Sequence, residues 1–288
     1  MDDFYDYKEA RAEIDKQATA RNKDTKKKLY QLCVWDDGLA SKCKTRTSMP
    51  SRTTRFVSVD AATKEIEEAV FTLQGVLVDT DLPPLASRPR QATNHIMRAA
   101  RNPHLTCLGQ SSFGDAVSNL YMLHTVLSRN APPGAMEKWR PTEYKGLVSL
   151  DIQNRYFTLR KFTDGSDKIN FDELCDPEGY LEDANGHDLV HTEDNRVEYY
   201  ASASPGAQLV SPGTFRAGDI VEAGLSVAMT PVSHDKYKML LILRSLALIQ
   251  STFTMVITPG ICCQPVKITK PFGADDDNQN LTILHKYT

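Results

Sequence analysis

His191, Glu193 and His234 are the residues of this chain whose types best suit a metal ion. His191 and Glu193 stand two positions apart, so on a strand both side chains leave the same face. Two imidazoles and one carboxylate on a face make the ligand set of non-haem iron sites, with coordination positions left open for oxygen and a co-substrate. Arg244 follows His234 by ten residues, and its planar guanidinium can pair with a substrate carboxylate. A plainer reading stays open for each group. His187 and His191 also suit a polar loop, and His234 suits a turn. Arg244 interrupts the apolar run Met239–Ile249, where an isolated charge is too costly to bury. It must reach a pocket or close a salt bridge to a carboxylate such as Glu222.

Other chemistries fit less well. No GxSxG elbow occurs, and Gly109-Gln110-Ser111-Ser112-Phe113-Gly114 lacks its spacing. Asp164 to Leu174 has the look of the end of a calcium loop. Placing Glu173 at the twelfth position, however, puts Phe162 where a carboxylate must stand and Asp167 where the bend demands glycine. Cys33 and Cys43 lack the second pair that a zinc site needs.

Charge is divided unevenly along the chain. Between Lys16 and Arg55 there are 11 Lys/Arg against 3 Asp/Glu, whereas Asp151 to Tyr200 holds 13 Asp/Glu against 5 Lys/Arg. Arg21, Lys23, Lys26, Lys27 and Lys28 concentrate the first excess into a basic N-terminal arm. Such an arm suits nucleic acid, an acidic protein surface, or the acidic half of its own chain. A solvated flexible segment is the plainer alternative.

The elements that must position these residues follow from periodicity. Tyr5 to Leu32 reads as a polar helix, and the Ser, Thr, Lys and Arg of Ser41 to Arg55 read as an exposed linker. Helices are expected at Asp60 to Leu77, with Asp60 as its cap, at Gln91 to Arg101, and at Phe113 to Arg129. From Lys145 the period shortens to two. Leu147–Ile152 and Tyr156–Phe162 flank a turn at Gln153-Asn154-Arg155, and Asn185-Gly186 is a second turn signal. Arg196 to Ser202 reads as a strand. Asp219 onward alternates, with one face expected on a core and the other near water. Ser233 to Lys236 turns the chain, and Tyr237 to Ile249 reads as a strand covered on both faces. Val256–Ile261, Val266–Thr269 and Leu281–His285 complete the expected strands. The fold class expected is α+β: a helical N-terminal half and a C-terminal antiparallel β-rich sandwich or barrel. The divisions are 1–55 for the basic helix and linker, 56–141 for the helical region and 145–288 for the β-rich domain.

Composition limits the class. With 288 residues, 41% hydrophobic and 25% charged, the chain can bury a sizeable core. No apolar run approaches a membrane span, and the acidic start MDDFYDYKEARAEIDK is unlike a secretory signal. Six cysteines without a CxxC spacing suit reduced thiols, hence an intracellular protein, cytoplasmic or nuclear.

Two resemblances add to this reading. His191-x-Glu193, His234 and Arg244 resemble the His-x-Asp/Glu, His and Arg pattern of iron- and 2-oxoglutarate-dependent oxygenases. That resemblance implies a double-stranded β-helix, the three residues as iron ligands, and Arg244 as the co-substrate anchor. Phe215–Ala223, Pro231-Val232, Tyr237–Leu248, His191–Asn195 and Tyr199-Tyr200 look like the C-terminal block of uncharacterised mushroom (basidiomycete) proteins, which carry no activity to transfer. Two functions follow as expectations: a non-catalytic binding protein using the basic arm, or a metal-dependent oxygenase-like enzyme.

Overall fold

The computed structural model describes residues 5–23, 30–34, 43–59, 64–88, 100–163, 165–185, 188–202, 207–233, 235–251 and 253. In chain order these form α1 (Tyr7–Lys23), β1 (Cys43–Ser48), β2 (Thr53–Val59), β3 (Ile66–Glu68), β4 (Val70–Asp79), β5 (Ala100–Arg101) and β6 (His104–Thr106). Then come α2 (Ser111–Ser128), β7 (Thr142–Tyr144), β8 (Leu147–Asp151), β9 (Asn154–Arg155), β10 (Thr158–Leu159), α3 (Tyr180–Ala184) and β11 (Leu189–Val190). The last are β12 (Glu198–Ser202), β13 (Ala207–Leu209), β14 (Ile220–Ser233) and β15 (Lys236–Gln250).

One mixed sheet of eleven strands organises the molecule. Its main path is β13-β12-β15-β14-β4-β6-β8-β7, and β2 also joins β14, carrying β1 and β3 with it. β12 runs parallel to β15, while the other pairs in the sheet are antiparallel. The long β14 therefore forks the sheet: Ile220 to Ser226 pair with β4, and Ala228 and Met229 pair with β2. A mixed sheet stands where a sandwich, barrel or double-stranded β-helix was expected.

The expected helix over 60–77 is corrected by β3 and β4. Val70–Asp79 carries Val, Phe, Thr, Leu, Val, Leu and Val, residues whose branched or aromatic side chains fit a pleated surface. Both faces of β4 are largely covered, so its apolar run is continuous, and a continuous run contains helical spacing by default. The expected linker Ser41–Arg55 is corrected too. β1 and β2 form a hairpin in which Thr47 Oγ1 and Thr54 Oγ1 meet at 2.8 Å across the strands. Threonine is polar enough for the surface and stiff enough for a strand. Of the helical N-terminal half, α1 and α2 stand. The helix expected at Gln91 lies mostly outside the described residues, and its last two residues form β5. Gln153-Asn154-Arg155 makes no hairpin with its neighbours, since β9 pairs with β5.

The two long strands exchange their expected environments. β14, whose alternation suggested one wet face, is buried on both faces from Ile220 to Met229 because β4, β2 and β15 flank it and its outward positions are Gly224, Ser226 and Ala228. β15, apolar throughout, buries one face and leaves the other partly open. The strands expected beyond Val256 lie outside the described residues.

Packing ties the ends together. α2 buries Phe113, Ala116, Leu120, Leu123 and Leu127, and α1 buries Ala10, Ile14 and Ala18, each at helical spacing. Asp6 Oδ1 accepts the Glu9 amide at 2.9 Å to cap α1, and the Tyr5 hydroxyl donates to Gly218 O at 2.9 Å. Among the described residues no helix is long and apolar enough to cross a membrane.

The β14–β15 register slips between Gly224 and Leu225: Gly224 faces Ser245, Leu225 faces Leu243, and Arg244 is the residue skipped. A β-bulge of this kind re-aims a side chain. A Cβ on Gly224 would collide with Ser245 Oγ, so a larger residue there requires that hydroxyl to turn away. Gly224→Val is expected to cost about 1–3 kcal/mol by overpacking, read as a lower urea midpoint at unchanged m-value. A midpoint equal to the parent's would show that the bulge does not need glycine.

Candidate functional site

Arg244 enters the interior from the bulge and is 1% exposed. Its Nε lies 2.7 Å from Glu68 Oε2, its Nη2 donates to Glu68 Oε1 at 2.8 Å, and its Nη1 donates to Asp194 O at 2.5 Å. Arg55 grips the Asp194 carboxylate with both amino groups, at 3.0 and 2.9 Å, and its Nε stands 3.5 Å from Glu68. Burial pushes the Glu68 carboxyl up, but Arg244 and then Arg55 outweigh it and hold the group below its ordinary range. Asp194 follows the same pattern: burial raises it, Arg55, Arg244 and Arg155 lower it, and the result is about 2. Arg244 thus closes a salt bridge, with Glu68 rather than Glu222 as partner. Glu222 is taken by Arg21 Nε at 2.8 Å and Gln74 Nε2 at 2.6 Å. Two guanidinium groups thus pair directly with two carboxylates, and Arg155 lies near enough to act on Asp194 as well.

Asp194 reaches this network from a single 3-10 turn, Glu193–Asn195. Thr192 and Asn195 close the turn as a capping box, and Asn195 also bonds Thr158. The same turn sets one wall of a cavity of about 220 Å³, lined in part by Arg101, Phe171, Cys175, His191, Arg196 and Tyr199. His191 is buried, stacks on Phe171 at 3.8 Å between ring centroids, and holds Nδ1 2.8 Å from Tyr156 O. A carbonyl only accepts, so Nδ1 carries the proton and Nε2 is the acceptor. Burial lowers His191 to about 4, the Tyr156 bond opposing it and Arg101 adding to it. Burial likewise pushes the Cys175 thiol up to about 11, which makes it a neutral thiol rather than a nucleophilic thiolate.

The sequence-derived site residues fall in several places. Glu193 is exposed and pairs with Arg196 at 3.6 Å, whereas the His191 ring is buried; both line the same cavity. His234 lies outside the described residues, and among the described residues no group of three His, Cys, Asp or Glu is placed to hold a metal ion. Of the basic arm, Arg21 is committed to Glu222, Lys23 ends α1 on the surface, and Lys26, Lys27 and Lys28 lie outside the described residues. Arg101, which lines the cavity, carried no motif or spacing that singled it out, and Tyr199 entered only through the Tyr199-Tyr200 resemblance, with no role attached.

A second feature gathers at the turn end of the β14–β15 hairpin. β1 and β2 bring Lys44, Arg46 and Arg52, with Arg52 over the Tyr237 ring at 5.4 Å. The segment after α2 lies along the start of β15: Tyr237 N donates to Ala135 O at 3.0 Å and Glu137 N to Tyr237 O at 2.8 Å. It carries Arg129, Lys138 and Arg140, and β15 adds Lys236 and Lys238. Thr45 Oγ1 donates to Asn130 Oδ1 at 3.3 Å, joining the hairpin to this segment. All eight cations are exposed, against the carboxylates Glu137, Glu143, Asp151 and Asp235. Trp139 meets the exposed Tyr121 ring edge to face at 5.1 Å, and Lys145 lies over Tyr144 at 5.6 Å. Arg21, by contrast, sits beside Glu222 near the start of β14, roughly 35 Å of strand away. Among the described residues, Arg21 and the cations of the β1–β2 hairpin therefore lie apart.

No family model matches the chain, and no curated protein matches it. Two solved structures are similar in part. One is a C-terminally truncated single-stranded DNA-binding protein from bacteriophage Enc34, with 9% identity over 74% of this chain and 98% of that one, at a TM-score of 0.34. The other is gp2.5, a single-stranded DNA-binding protein encoded by bacteriophage T7, with 12% identity over 64% of this chain and 92% of that one, also at 0.34. At that TM-score the backbones diverge too far for either to define this fold.

Proposed function

We propose that this protein is a non-catalytic nucleic-acid-binding protein that takes a single strand along the turn end of the β14–β15 hairpin. The observation that supports this reading is the convergence of β1, β2, the segment after α2 and β15 on one end, where exposed cations gather, Arg52 lies over the Tyr237 ring and the segment after α2 carries Trp139 against Tyr121. Phosphates pair with such cations without regard to sequence. Unstacked bases lie on aromatic faces, which a duplex does not offer.

The test is fluorescence anisotropy of labelled single strands and matched duplexes across a salt series. For about five phosphates neutralised on a single strand, log K is expected to fall against log salt with a slope of about −3 to −4. Changing Arg46, Lys138, Lys236 and Lys238 together to Ala should flatten that slope by about 0.7 per cation removed. Trp139→Ala should weaken single-strand binding by about 1–3 kcal/mol and leave the slope alone. No binding at low salt, or an unchanged slope in the quadruple variant, overturns the proposal. Tighter binding to the duplex would transfer the surface to double-stranded partners and overturn the stacking role.

A further inference from the structure

The cavity beside His191 holds a guanidinium that no carboxylate among the described residues contacts directly. Arg101 is 1% exposed, yet among the described residues its guanidinium makes one hydrogen bond, from Nη1 to Asn195 O at 2.7 Å, and lies over the Tyr156 ring at 4.4 Å. Its Nε–H has no acceptor among the described residues. The Tyr199 hydroxyl, on a residue 2% exposed, has no partner among them either. Both residues line the cavity, together with His191. Buried donors left unmade are costly, and a lone buried guanidinium costs more than a neutral group does. Arg244 shows what this chain does with a buried guanidinium that is purely structural: it surrounds it with carboxylate and carbonyl oxygens.

The remainder of the lining has the opposite character. Asp172, Glu193 and Glu198 stand at the cavity against Arg196, which Glu198 holds at 3.2 Å. A bare anion would cross a negative entrance to reach Arg101, whereas a molecule carrying both charges satisfies both ends. His191 Nε2 adds an acceptor on the inner wall. Exposed Leu174 and Leu209 give the mouth an apolar edge. A volume of about 220 Å³ admits only a small molecule.

We propose that this cavity binds a small zwitterionic carboxylate of the free α-amino-acid class. Its carboxylate accepts from Arg101 and Tyr199, its ammonium donates toward His191 and the acidic rim, and its side chain meets Leu174 and Leu209. The site is independent of the basic hairpin end and does not rest on the nucleic-acid reading.

Calorimetry and thermal shift on the full chain, with single amino acids, their deaminated carboxylates and inorganic phosphate as probes, test the assignment. At least one amino acid is expected to bind and to raise the melting midpoint with concentration, while its deaminated counterpart binds much more weakly. Arg101→Met should weaken binding about a hundredfold or more, since it removes the charge partner of the carboxylate. Tyr199→Phe, which removes one oxygen and should fold whether or not Arg101→Met does, should weaken it about tenfold. No binding by any amino acid, equal binding of amino acid and deaminated acid, phosphate alone binding, or parental affinity in both variants would overturn the proposal.

Discussion

Arg244→Met is expected to lower the free energy of unfolding by about 3–5 kcal/mol, the loss that follows when one member of a buried ion pair is removed and the other stays behind. The stranded group is Glu68, whose side chain is fully buried. Arg55 Nε, at 3.5 Å, is too distant to replace two contacts of 2.7 and 2.8 Å. The Asp194 carbonyl loses its shorter hydrogen bond as well and keeps only that from Asn154 Nδ2 at 3.3 Å, which loosens the 193–195 turn. Arg244→Met with Glu68→Leu should recover most of the loss, because an apolar pair of similar volume demands no desolvation. Asp194→Asn should cost under about 1 kcal/mol, since its side chain is 41% exposed and water screens its pairing with Arg55. Urea unfolding of the three variants separates these outcomes. If Arg244→Met costs no more than Asp194→Asn, the Arg244–Glu68 pair is not electrostatically closed.

The same network shows which parts of the architecture sequence could reveal. The β14–β15 hairpin was legible because its signals are local: alternation, a polar turn at Ser233 to Lys236, and a second apolar run. α2 was legible because its apolar residues keep helical spacing over 18 residues. β4 was not, because a strand covered on both faces loses alternation and satisfies a helical template as well. The β1–β2 hairpin was hidden for the opposite reason: its Thr, Ser, Lys and Arg side chains read as polar surface, although β2 buries Thr53 to Val57. That Arg244 must be paired followed from burial cost alone. Its partner did not, because Glu68 lies 176 positions away and meets it only through pairing of β2 with β14 and a bulge next to Gly224. The nearer candidate, Glu222, faces Ala247 in the register and is held by Arg21 and Gln74. Arg101 and Tyr199 meet in one cavity through the 193–195 turn and strand pairing, and neither leaves a trace in spacing.

Acidification is expected to lower stability in two separate steps, and the first belongs to His191. Its imidazole is held neutral, with a folded-state value of about 4 against an ordinary 6.5. Burial is the main cause, the Tyr156 carbonyl opposes it, Arg101 and Arg196 lower it further, and Glu182 raises it. Between those values the unfolded chain binds a proton that the folded chain refuses, so stability falls as pH falls. It is fully present above about 6.5 and drops by about 1.4 kcal/mol per pH unit, to a total of about 3 kcal/mol near pH 4. The second step lies lower. Glu68 and Asp194 are held below their ordinary values, so their contribution is present above those values and is lost as pH falls from about 4.5 through the folded value of about 2 for Asp194. His191→Gln cannot titrate. It should start less stable, having lost the ring stacked on Phe171, but its urea midpoint should stay flat from pH 6.5 to 4.5 and fall only in the second window. A parental slope in that upper window for His191→Gln would assign the first step to another group and remove His191 as its source.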